Sequence, residues 1–565
     1  MNPVEALNSF IPYLVAFVPM LGILILVHEL GHFLVAKYFG VRVLKFSIGF
    51  GSPIGVGRLR MRWTRNGTEY VVAWIPLGGY VKMLGEQLHD AGEDEPDVPD
   101  ARPDEYLNAK PVWQKLCITF AGPAMNLLLP VLIFMGVFAW GIQQPVAIVG
   151  TVEIPSPASD AGVQPGDRLL AVDGDPVVWW YDVAEAIREK PTGVIALEIE
   201  RGDRVMEVPI ERSSREGMDP FGAPTDVGWI GLEHRRLPAL VGVPDGKTAA
   251  ARAGLQSGDL VVEVDSVPVE DWEGLRAALG RARGRSEILV KRGSEGLSVS
   301  LTVPANPDLA AWGVVPATIL VSEVTPGLPA DRAGIKGGDL LLAVDGQPAG
   351  SFAAFASQVR TSRGRPLLLT VAREGSTRTL EVAPEKTMVP GPLGIEGMEE
   401  ETYLIGIRHA LPTLVGATAI DREFNPLVSF PRAVERTWEI TGLFMTGLGK
   451  LVTGEVGTDK LAGPIGIAEI ARKSLDTGWL TYIQTLILIS INLGIINLLP
   501  IPILDGGQAL LYAIEGIQRS PISVRTRERV QFVGLTMVLM LMGLAFWNDL
   551  SRHWSRFVEW LSAGL

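Results

Sequence analysis

The stretch "LGILILVHELGHFLVAKYFG", residues 21–40, decides the fold because it combines an apolar run with three ionisable side chains. The run starts near Ile11, and about 20 apolar residues in a helix are enough to cross a bilayer. His28, Glu29 and His32 lie inside this run. Ionisable residues within membrane spans are rare and usually functional. The stretch therefore predicts a membrane helix that carries a functional site.

Four stretches, including this one, are long and apolar enough to span a membrane. They are residues 11–36, 116–142, 479–499 and 530–548. Because 47% of the 565 residues are hydrophobic, the composition also favours a membrane protein with a water-exposed part. Residues 1–10 contain no Lys or Arg, so the first span lacks the basic start of a cleavable signal peptide and is expected to be retained.

The short loops predict the orientation of these spans. Lys and Arg residues are concentrated between Lys37 and Lys115, and again between Arg519 and Arg529. Loops rich in basic residues stay on the cytoplasmic side of a membrane. Both chain termini and residues 143–478 are therefore expected outside the cytoplasm. The acidic run from Glu86 to Glu105 does not change this, because acidic residues contribute little to the rule.

The long segment 143–478 contains an internal repeat. The repeated stretches are "ASDAGVQPGDRLLAVDG" (158–174), "AARAGLQSGDLVVEVDS" (250–266) and "ADRAGIKGGDLLLAVDG" (330–346). Each is followed by a short helical pattern and then by two strand-like runs around a turn, so we expect three tandem small β domains with at least one helix each.

The repeated pattern resembles bacterial PDZ domains, which add a peptide as a strand beside a short helix. In the stretch "GWIGLEH" (228–234), upstream of the second repeat, the sequence resembles the loop whose amides receive a peptide carboxylate. A weaker version, "WGVVP" (312–316), precedes the third repeat, and none precedes the first. The alternative is that the modules are spacers or a steric lid without a ligand.

Two shorter patterns lie outside the modules. In the predicted cytoplasmic loop, "RLRMRWTRNGTEYVVAWI" (58–75) alternates apolar and basic residues and turns at Asn66-Gly67, which predicts a β-hairpin at the membrane surface or within the bilayer. The stretch 430–452 is amphipathic, with Val434 and Trp438 among its apolar residues. We expect a helix there that rests on the outer membrane surface or packs on the modules.

The first span carries the chemistry. His28 and His32 are four residues apart, so both imidazoles project from one face of a helix and can share a metal ion. Glu29 lies beside them, where it can accept a proton from water. The HExxH pattern alone is only suggestive, but its place in a membrane span strengthens it. As a helix, Ile11 to Val27 rises about 26 Å, which puts His28 near the cytoplasmic edge of the hydrocarbon core.

A zinc site needs a third protein ligand. The other histidines, His89, His234, His409 and His553, lie outside the spans. Asp505 in "INLGIINLLPIPILDGG" (491–507) is favoured, because Pro500 and Pro502 break the third span at nearly the depth of His28. Irregular backbone at that depth is tolerated only when it is buried in protein or lines a wet cavity. An ordinary Asp-Gly-Gly turn is the alternative interpretation.

Five separated motifs now carry a family resemblance across the whole chain. They are "HELGH" (28–32), "PLGGYVKMLGE" (76–86), "FAGPAMN" (120–126), "LAGPIGIAEIA" (461–471) and "SINLGIINLLPIPILDGG" (490–507). In this order they resemble the site-2 protease family of intramembrane zinc metalloproteases.

The resemblance implies that His28, His32 and Asp505 ligate Zn²⁺ and that Glu29 is the general base. It also implies that Asn492 and Asn497 hold the substrate, for which a helix-helix hydrogen bond is the alternative. The implied substrates are single-span membrane proteins of the anti-sigma-factor type, already shortened by another protease, with remnant signal peptides as a second class. The implied place is the bacterial inner membrane, with termini and PDZ modules in the periplasm, the active site near the cytoplasm, and a role in stress response.

The predicted fold class is a polytopic α-helical membrane protein with four transmembrane helices, a cytoplasmic-side β-hairpin and tandem extracytoplasmic PDZ-like α+β domains. Its predicted segments are the first span (1–40), the hairpin loop (41–115), the second span (116–142), PDZ-like domains (143–215, 226–305 and 311–400), an amphipathic linker (401–478), the third span with the LDGG motif (479–510) and the fourth span with the C-terminal tail (511–565).

Other function classes fit less well. The net charge of −13 and the scattered basic residues argue against a nucleic-acid partner. The single cysteine, Cys117, excludes an intrachain disulfide. A membrane scaffold with PDZ modules and a structural metal is the main alternative, although Glu29 would then have no role. A metal transporter is disfavoured, since no chain of polar residues crosses the spans. The expected partners are therefore the lipid bilayer, membrane protein substrates and peptide termini at the modules.

Overall fold

The computed structural model describes residues 3–55, 60–85, 101–218, 224–303, 309–390, 399–409, 414, 416–458, 461–520 and 522–563. The chain divides into a helical unit, residues 1–141, 390–399 and 422–565, and a β-rich unit, residues 142–389 and 400–421. Three sequence-based expectations fall outside the described residues: the start of the hairpin at Arg58 and Leu59, the acidic run as far as residue 100, and His89.

The described helices follow one another along the chain as α1 (Pro3–Tyr38), α2 (Val112–Trp140), α3 (Pro157–Asp160), α4 (Trp180–Glu189), α5 (Ala249–Ala253), α6 (Trp272–Arg281), α7 (Pro329–Arg332), α8 (Phe352–Thr361), α9 (Pro426–Thr453), α10 (Pro464–Thr477), α11 (Trp479–Leu498), α12 (Asp505–Gln518) and α13 (Val524–Ala563). Two short 3-10 turns, Pro103–Glu105 and Leu107–Ala109, precede α2.

The described strands are β1 (Val43–Pro53), β2 (Arg62–Arg65), β3 (Thr68–Met83), β4 (Ile142–Pro145), β5 (Thr151–Val152), β6 (Arg168–Val172), β7 (Asp175–Pro176), β8 (Gly193–Arg201), β9 (Arg204–Met218), β10 (Pro224–Trp229), β11 (Leu232–Glu233), β12 (Leu240–Gly242), β13 (Asp259–Val264), β14 (Val267–Pro268), β15 (Gly284–Arg292), β16 (Glu295–Val303), β17 (Val315–Pro316), β18 (Val321–Val324), β19 (Leu340–Val344), β20 (Gln347–Pro348), β21 (Leu367–Arg373), β22 (Ser376–Val382), β23 (Glu385–Pro390), β24 (Glu399–Leu404), β25 (Ile407–His409) and β26 (Thr418–Asp421).

Four helical stretches are long and apolar enough to cross a membrane, as predicted. They are Ile11–Tyr38, Val112–Trp140, Trp479–Leu498 and Val524–Ser551. The second of these, α2, packs against α1, α9, α11 and α12. Its contact with α1 is close: a Cβ on Gly31 would stand 2.3 Å from the backbone oxygen of Ala121, so only glycine allows these two helices to meet there.

The predicted hairpin is present within a larger sheet whose strands follow the order β1-β3-β2. Strands β2 and β3 pair antiparallel, and the turn between them is made by Asn66 and Gly67, both with positive φ. Strand β1 was not predicted. Phe46 of β1 pairs with Tyr70 and also with Val81, because β3 follows one side of β1 and returns along the other. The returning segment brings Gly79 against α1.

Helix α9 is present, and its place on the outer membrane surface or on the modules stays a prediction. The prediction placed it on the outer membrane surface or on the modules, with Val434 and Trp438 on its apolar face. Both of these side chains are exposed, whereas α9 packs against α2 and α11 within the helical unit. Its residues Ile440 and Phe444 join a cluster with the third span, and Ala433 is fully buried. Small residues on one face allow this close contact between helices.

The β-rich unit contains three modules, each with its own apolar core. Each has the predicted helix, α4, α6 or α8, and the predicted pair of strands, β8–β9, β15–β16 or β21–β22. A buried ion pair recurs in all three: Asp167 with Arg201, Asp259 with Arg292, and Asp339 with Arg373. In each module the arginine is the last residue of the strand that follows the helix. Its guanidinium also donates a hydrogen bond to the backbone oxygen of the glycine in the repeated stretch, which is Gly162, Gly254 or Gly334.

The module bounds differ from the predicted ones, because each module is completed by a segment that follows its own core. Strand β10 pairs with β9 and strand β11 with β5, so "GWIGLEH" (228–234) closes the first module and does not open the second. Likewise β17, in "WGVVP", pairs with β12 of the second module. Strand β25 pairs with β18 and closes the third module with "YLIGIRH" (403–409), which the sequence reading missed.

The modules also contact one another. The backbone amide of Ser351 in the third module donates to Oε1 of Glu153 in the first, at 2.9 Å. The backbone amide of Gly246 donates to Gly375 at 2.9 Å, which joins the second module to the third. A cleft of about 630 Å³ is lined by residues of all three modules.

Candidate metal centre

The centre begins with His28 and His32 on α1. Their i,i+4 spacing places both rings on one face of the helix, with ring centroids 4.9 Å apart. Both residues are buried at 9% exposure. Their Nε2 atoms lie 3.2 Å apart. Two imidazole nitrogens therefore converge inside a predicted membrane span.

Helix α2 covers this pair with one of its faces. Ile118, Gly122 and Asn126 are four residues apart and so follow one another along that face. The backbone oxygen of Ile118 lies 2.8 Å from Nδ1 of His32, and the side-chain amide of Asn126 lies 3.1 Å from Nδ1 of His28. Between them, a Cβ on Gly122 would stand 2.3 Å from Nε2 of His32. Only a residue without a side chain leaves space there.

Asp505 reaches the histidines because the third span ends early, as predicted. Helix α11 stops at Leu498, and α12 begins at Asp505 after a non-helical segment that contains Pro500 and Pro502. The glycine that follows Asp505 is required by this turn: a Cβ on Gly506 would stand 2.2 Å from the backbone oxygen of Leu498. The sequence therefore presents the carboxylate at the first residue of α12.

The three side chains form the one cluster of potential metal ligands found among the described residues. Nε2 of His28 lies 3.2 Å from Oδ2 of Asp505, and Nε2 of His32 lies 3.6 Å from Oδ1. Tetrahedral zinc with bonds of about 2.0–2.1 Å has neighbouring donor atoms about 3.3 Å apart. Two histidines and one carboxylate are also a donor set typical of catalytic zinc. The residues present fit this metal.

Glu29 lies beside this cluster. Its carboxylate is within electrostatic reach of His28, His32 and Asp505. A Cβ on Gly79 would stand 3.1 Å from Cγ of Glu29, so the returning part of β3 passes directly over this side chain. Glu29 is half-buried.

The remaining candidates are not brought into the cluster. Asn492 and Asn497 lie on α11 and are both half-buried. In the described part of the chain, Oδ1 of Asn492 is buried and has no hydrogen-bond partner. His234 and His409 belong to the β-rich unit, while His89 and the side chain of His553 lie outside what the structure describes.

Sequence reasoning missed the contribution of α2. The motif "FAGPAMN" contains both Gly122 and Asn126, and it was used only for its resemblance. Gly122 and Asn126 are four residues apart, as His28 and His32 are, and this equal spacing is the sequence signal that could have indicated two facing helices. The role of Ile118 carried no such signal, because its contact is made by a backbone oxygen.

Comparison with known proteins agrees with this geometry. Residues 16–541 match peptidase family M50. The chain is similar to Protease RseP of Yersinia pestis, with 33% identity over 539 residues, 95% of this chain and 98% of the relative. It is 32% identical to the Regulator of sigma-E protease RseP of Escherichia coli K12 over 546 residues, 96% of this chain and 99% of the relative.

A relative from Xylella fastidiosa strain Temecula1, named putative zinc metalloprotease, is 32% identical over 538 residues, 94% of this chain and 96% of the relative. All these matches extend over nearly the whole length of both chains, and they confirm the resemblance drawn from the five motifs. The chain belongs to peptidase family M50 and is a zinc metalloprotease.

Proposed function

We propose that the chain cleaves peptide bonds within the transmembrane segments of single-span membrane proteins. In this proposal His28, His32 and Asp505 bind the zinc ion and Glu29 is the general base. The observation that carries it is the convergence of these three side chains, whose donor atoms lie 3.2–3.6 Å apart. The histidines come from the candidate membrane span in α1, and Asp505 comes from the start of α12, directly after the broken end of the third span. A metalloprotease site at that place meets substrates that are themselves in the membrane.

Each residue then has a defined task. When bound, zinc acts as a Lewis acid that polarises water and the scissile carbonyl. The carboxylate of Glu29 accepts a proton from the attacking water and then gives it to the leaving amine nitrogen. The contact between Nδ1 of His32 and the backbone oxygen of Ile118 fixes the orientation of that ring, so Nε2 stays directed at the metal.

The substrate must be locally unwound, because the peptide bonds of a helix are already hydrogen-bonded to each other. The β1–β3 sheet lies against Glu29 through Gly79, and a strand edge there can replace the lost bonds by strand addition. Asn492 and Asn497 are proposed to hold the unwound backbone through their amides. The unpartnered Oδ1 of Asn492 supports this role, since buried amide oxygens normally have a partner.

The three modules are proposed to be PDZ-like domains that screen substrates by size and bind peptide termini. In the third module, a groove of about 130 Å³ lies between α8 and residues 402–407. Phe355 and Val359 line it on the helix side, and Leu404, Ile405 and Gly406 line it on the other. Such a groove suits an apolar C-terminal residue.

The cellular setting follows from the relatives. The Escherichia coli relative is named for the regulation of sigma-E, which supports substrates of the anti-sigma-factor type. Remnant signal peptides are a second proposed class. The basic loops support a position in the bacterial inner membrane with termini and modules in the periplasm and the zinc site near the cytoplasm.

The test uses the full-length chain in detergent with a single-span model substrate. Zinc per chain and cleavage rate are measured for the wild type, Glu29→Gln and His28→Asn. Glu29→Gln is expected to keep its zinc and lose cleavage by about 10²–10⁴-fold, since proton transfer contributes that much. His28→Asn is expected to lose both.

Undiminished cleavage by Glu29→Gln would refute its role as base. Zinc without any cleavage in the wild type would favour the alternative function, a PDZ-bearing scaffold with a structural metal.

A further inference from the structure

We propose that Asn126 is a positioning residue of the metal centre, whose side-chain oxygen accepts a hydrogen bond from Nδ1–H of His28. This inference rests on the proposed function, in which His28 binds zinc through Nε2. Asn126 lies on α2 and is completely buried, at 0% exposure. Its side-chain amide lies 3.1 Å from Nδ1 of His28 and is the polar group that faces this nitrogen.

The tautomer of His28 sets the requirement. A neutral imidazole has one protonated nitrogen, so a ring that offers the lone pair of Nε2 to a metal carries its proton on Nδ1. That proton needs an acceptor, because the ring is buried. His32 has one in the backbone oxygen of Ile118, at 2.8 Å. For His28 the corresponding position is occupied by the amide of Asn126.

The amide must therefore present its oxygen to His28. With the nitrogen of Asn126 facing Nδ1, the ring would accept there and carry its proton on Nε2, where the metal needs a lone pair. In that orientation Oδ1 of Asn126 is also buried without a hydrogen-bond partner among the described residues. The oxygen and nitrogen of an amide have nearly the same shape, so their assignment follows from the hydrogen bonds. The reversed amide pairs Oδ1 with Nδ1–H and places the amide nitrogen where Oδ1 stood, so the choice rests on the tautomer that zinc binding requires of His28.

The backbone of Asn126 is held in place from the other side. The hydroxyl of Ser490 donates to the backbone oxygen of Asn126 at 2.7 Å, and both residues are fully buried. Ser490 lies on α11, the helix that leads into the broken segment before Asp505. Asn126 thus stands between the ring of one zinc ligand and the helix that precedes another. Gly136 supplies a control on the same helix, because a Cβ there has nothing within 4 Å.

The experiment measures the zinc dissociation constant of the full-length chain in detergent, by competition with a chromogenic chelator. Asn126→Leu keeps the size of the side chain without an acceptor, and Asn126→Asp restores an acceptor oxygen. Loss of a partner of a metal-bound histidine weakens binding by about 10–100-fold. We expect this loss in Asn126→Leu, recovery in Asn126→Asp, and wild-type affinity in Gly136→Ala. If Asn126→Leu does not fold, Asn126→Ala takes its place.

Wild-type zinc affinity in Asn126→Leu or Asn126→Ala would overturn the inference. So would an equal loss in Asn126→Asp and Asn126→Leu, which is the result expected if only packing matters. The variant His28→Asn separates this failure from failure of the proposed function. If His28→Asn also keeps its zinc, the assignment of the ligand is wrong; if it alone loses zinc, only the role of Asn126 is wrong.

Discussion

Gly122 faces Nε2 of His32 so closely that a Cβ on this glycine would stand 2.3 Å from the nitrogen, and 2.8 Å from Nε2 of His28. No real side chain is tolerated at these distances. The Nε2 atoms of the two histidines are thus packed against the α-carbon of Gly122 on the neighbouring helix α2. The size of the site is set by α2 as much as by the helix that carries the histidines.

The first prediction concerns this glycine. Gly122→Ala should displace one or both imidazoles and weaken zinc binding by at least about tenfold, as other losses of support around a metal site do. The zinc dissociation constant of the full-length chain measures the effect. Gly136→Ala is the matched control, because it lies on the same helix and a Cβ there has nothing within 4 Å. Equal zinc affinity in the two variants would contradict the proposed contact.

A second prediction concerns the turn that presents Asp505. In Gly506→Ala the new Cβ would stand 2.2 Å from the backbone oxygen of Leu498, and backbone atoms cannot move away as a flexible side chain can. We expect the start of α12 to shift and zinc content and cleavage to fall together. Gly543→Ala, with nothing within 4 Å of its Cβ, is the control on another membrane helix. If Gly506→Ala keeps its full zinc content, the turn can accommodate a side chain at this position, and the prediction is wrong.

The recurring ion pair of the modules gives a third prediction. Asp259 is fully buried and accepts two hydrogen bonds from Arg292, at 2.7 Å each. Breaking a buried pair costs about 3–5 kcal/mol, and we expect the lower end for Asp259→Asn because Arg292 keeps a third of its side chain in solvent. Hydrogen exchange of β13 and β15 in the full-length chain measures the lost stability of the second module.

The control for this variant lies in the same module. Glu273 pairs with Arg276 one helical turn away on the exposed face of α6. Glu273→Gln should change the stability by less than about 1 kcal/mol, as is usual for exposed pairs. If the two variants lose similar amounts of hydrogen-exchange protection, the buried pair stabilises the module no more than the exposed pair does, and the prediction is wrong.

A fourth prediction tests the groove of the third module. Ala356 lies in its wall, and Ala356→Trp should fill a space of about 130 Å³. Binding of a labelled peptide with an apolar C-terminal residue should weaken by at least about tenfold, or about 1.4 kcal/mol. Fluorescence anisotropy with the free acid and the amidated peptide measures this. Gln358→Trp, on the exposed side of α8, should bind as the wild type; equal binding by both variants would exclude this groove.

Much of the site was predictable because its parts are local patterns. The spacing of His28 and His32 specifies one helix face, and Pro500 and Pro502 specify a helix break before Asp505. Apolar length predicted the four spans for the same reason: it is set by the thickness of the bilayer. Each of these features depends on residues close together in the sequence, so no knowledge of the tertiary fold was needed.

The features that were missed depend on partners far along the chain. One of them is the packing of α9 against α2 and α11, which joins helices far apart in the sequence. The segment 228–234 was assigned to the start of the second module. Its partner strand β5 lies far back in the sequence, so the pairing that places it in the first module could not be seen from local patterns. Asn126 reads as one polar residue in an apolar helix until α1 is placed against it.

The pairing of first and last strands bears on how such a chain gains or loses parts. Strands β5 and β11 close the first module on itself, β12 and β17 the second, and β18 and β25 the third. The β-rich unit repeats the pattern, because β4 at its entry pairs with β26 at its exit. A segment with adjoining ends can be duplicated or deleted without opening a gap in what surrounds it. The number of modules is therefore free to vary while the chain still leaves and rejoins the helical unit through the same pair of strands.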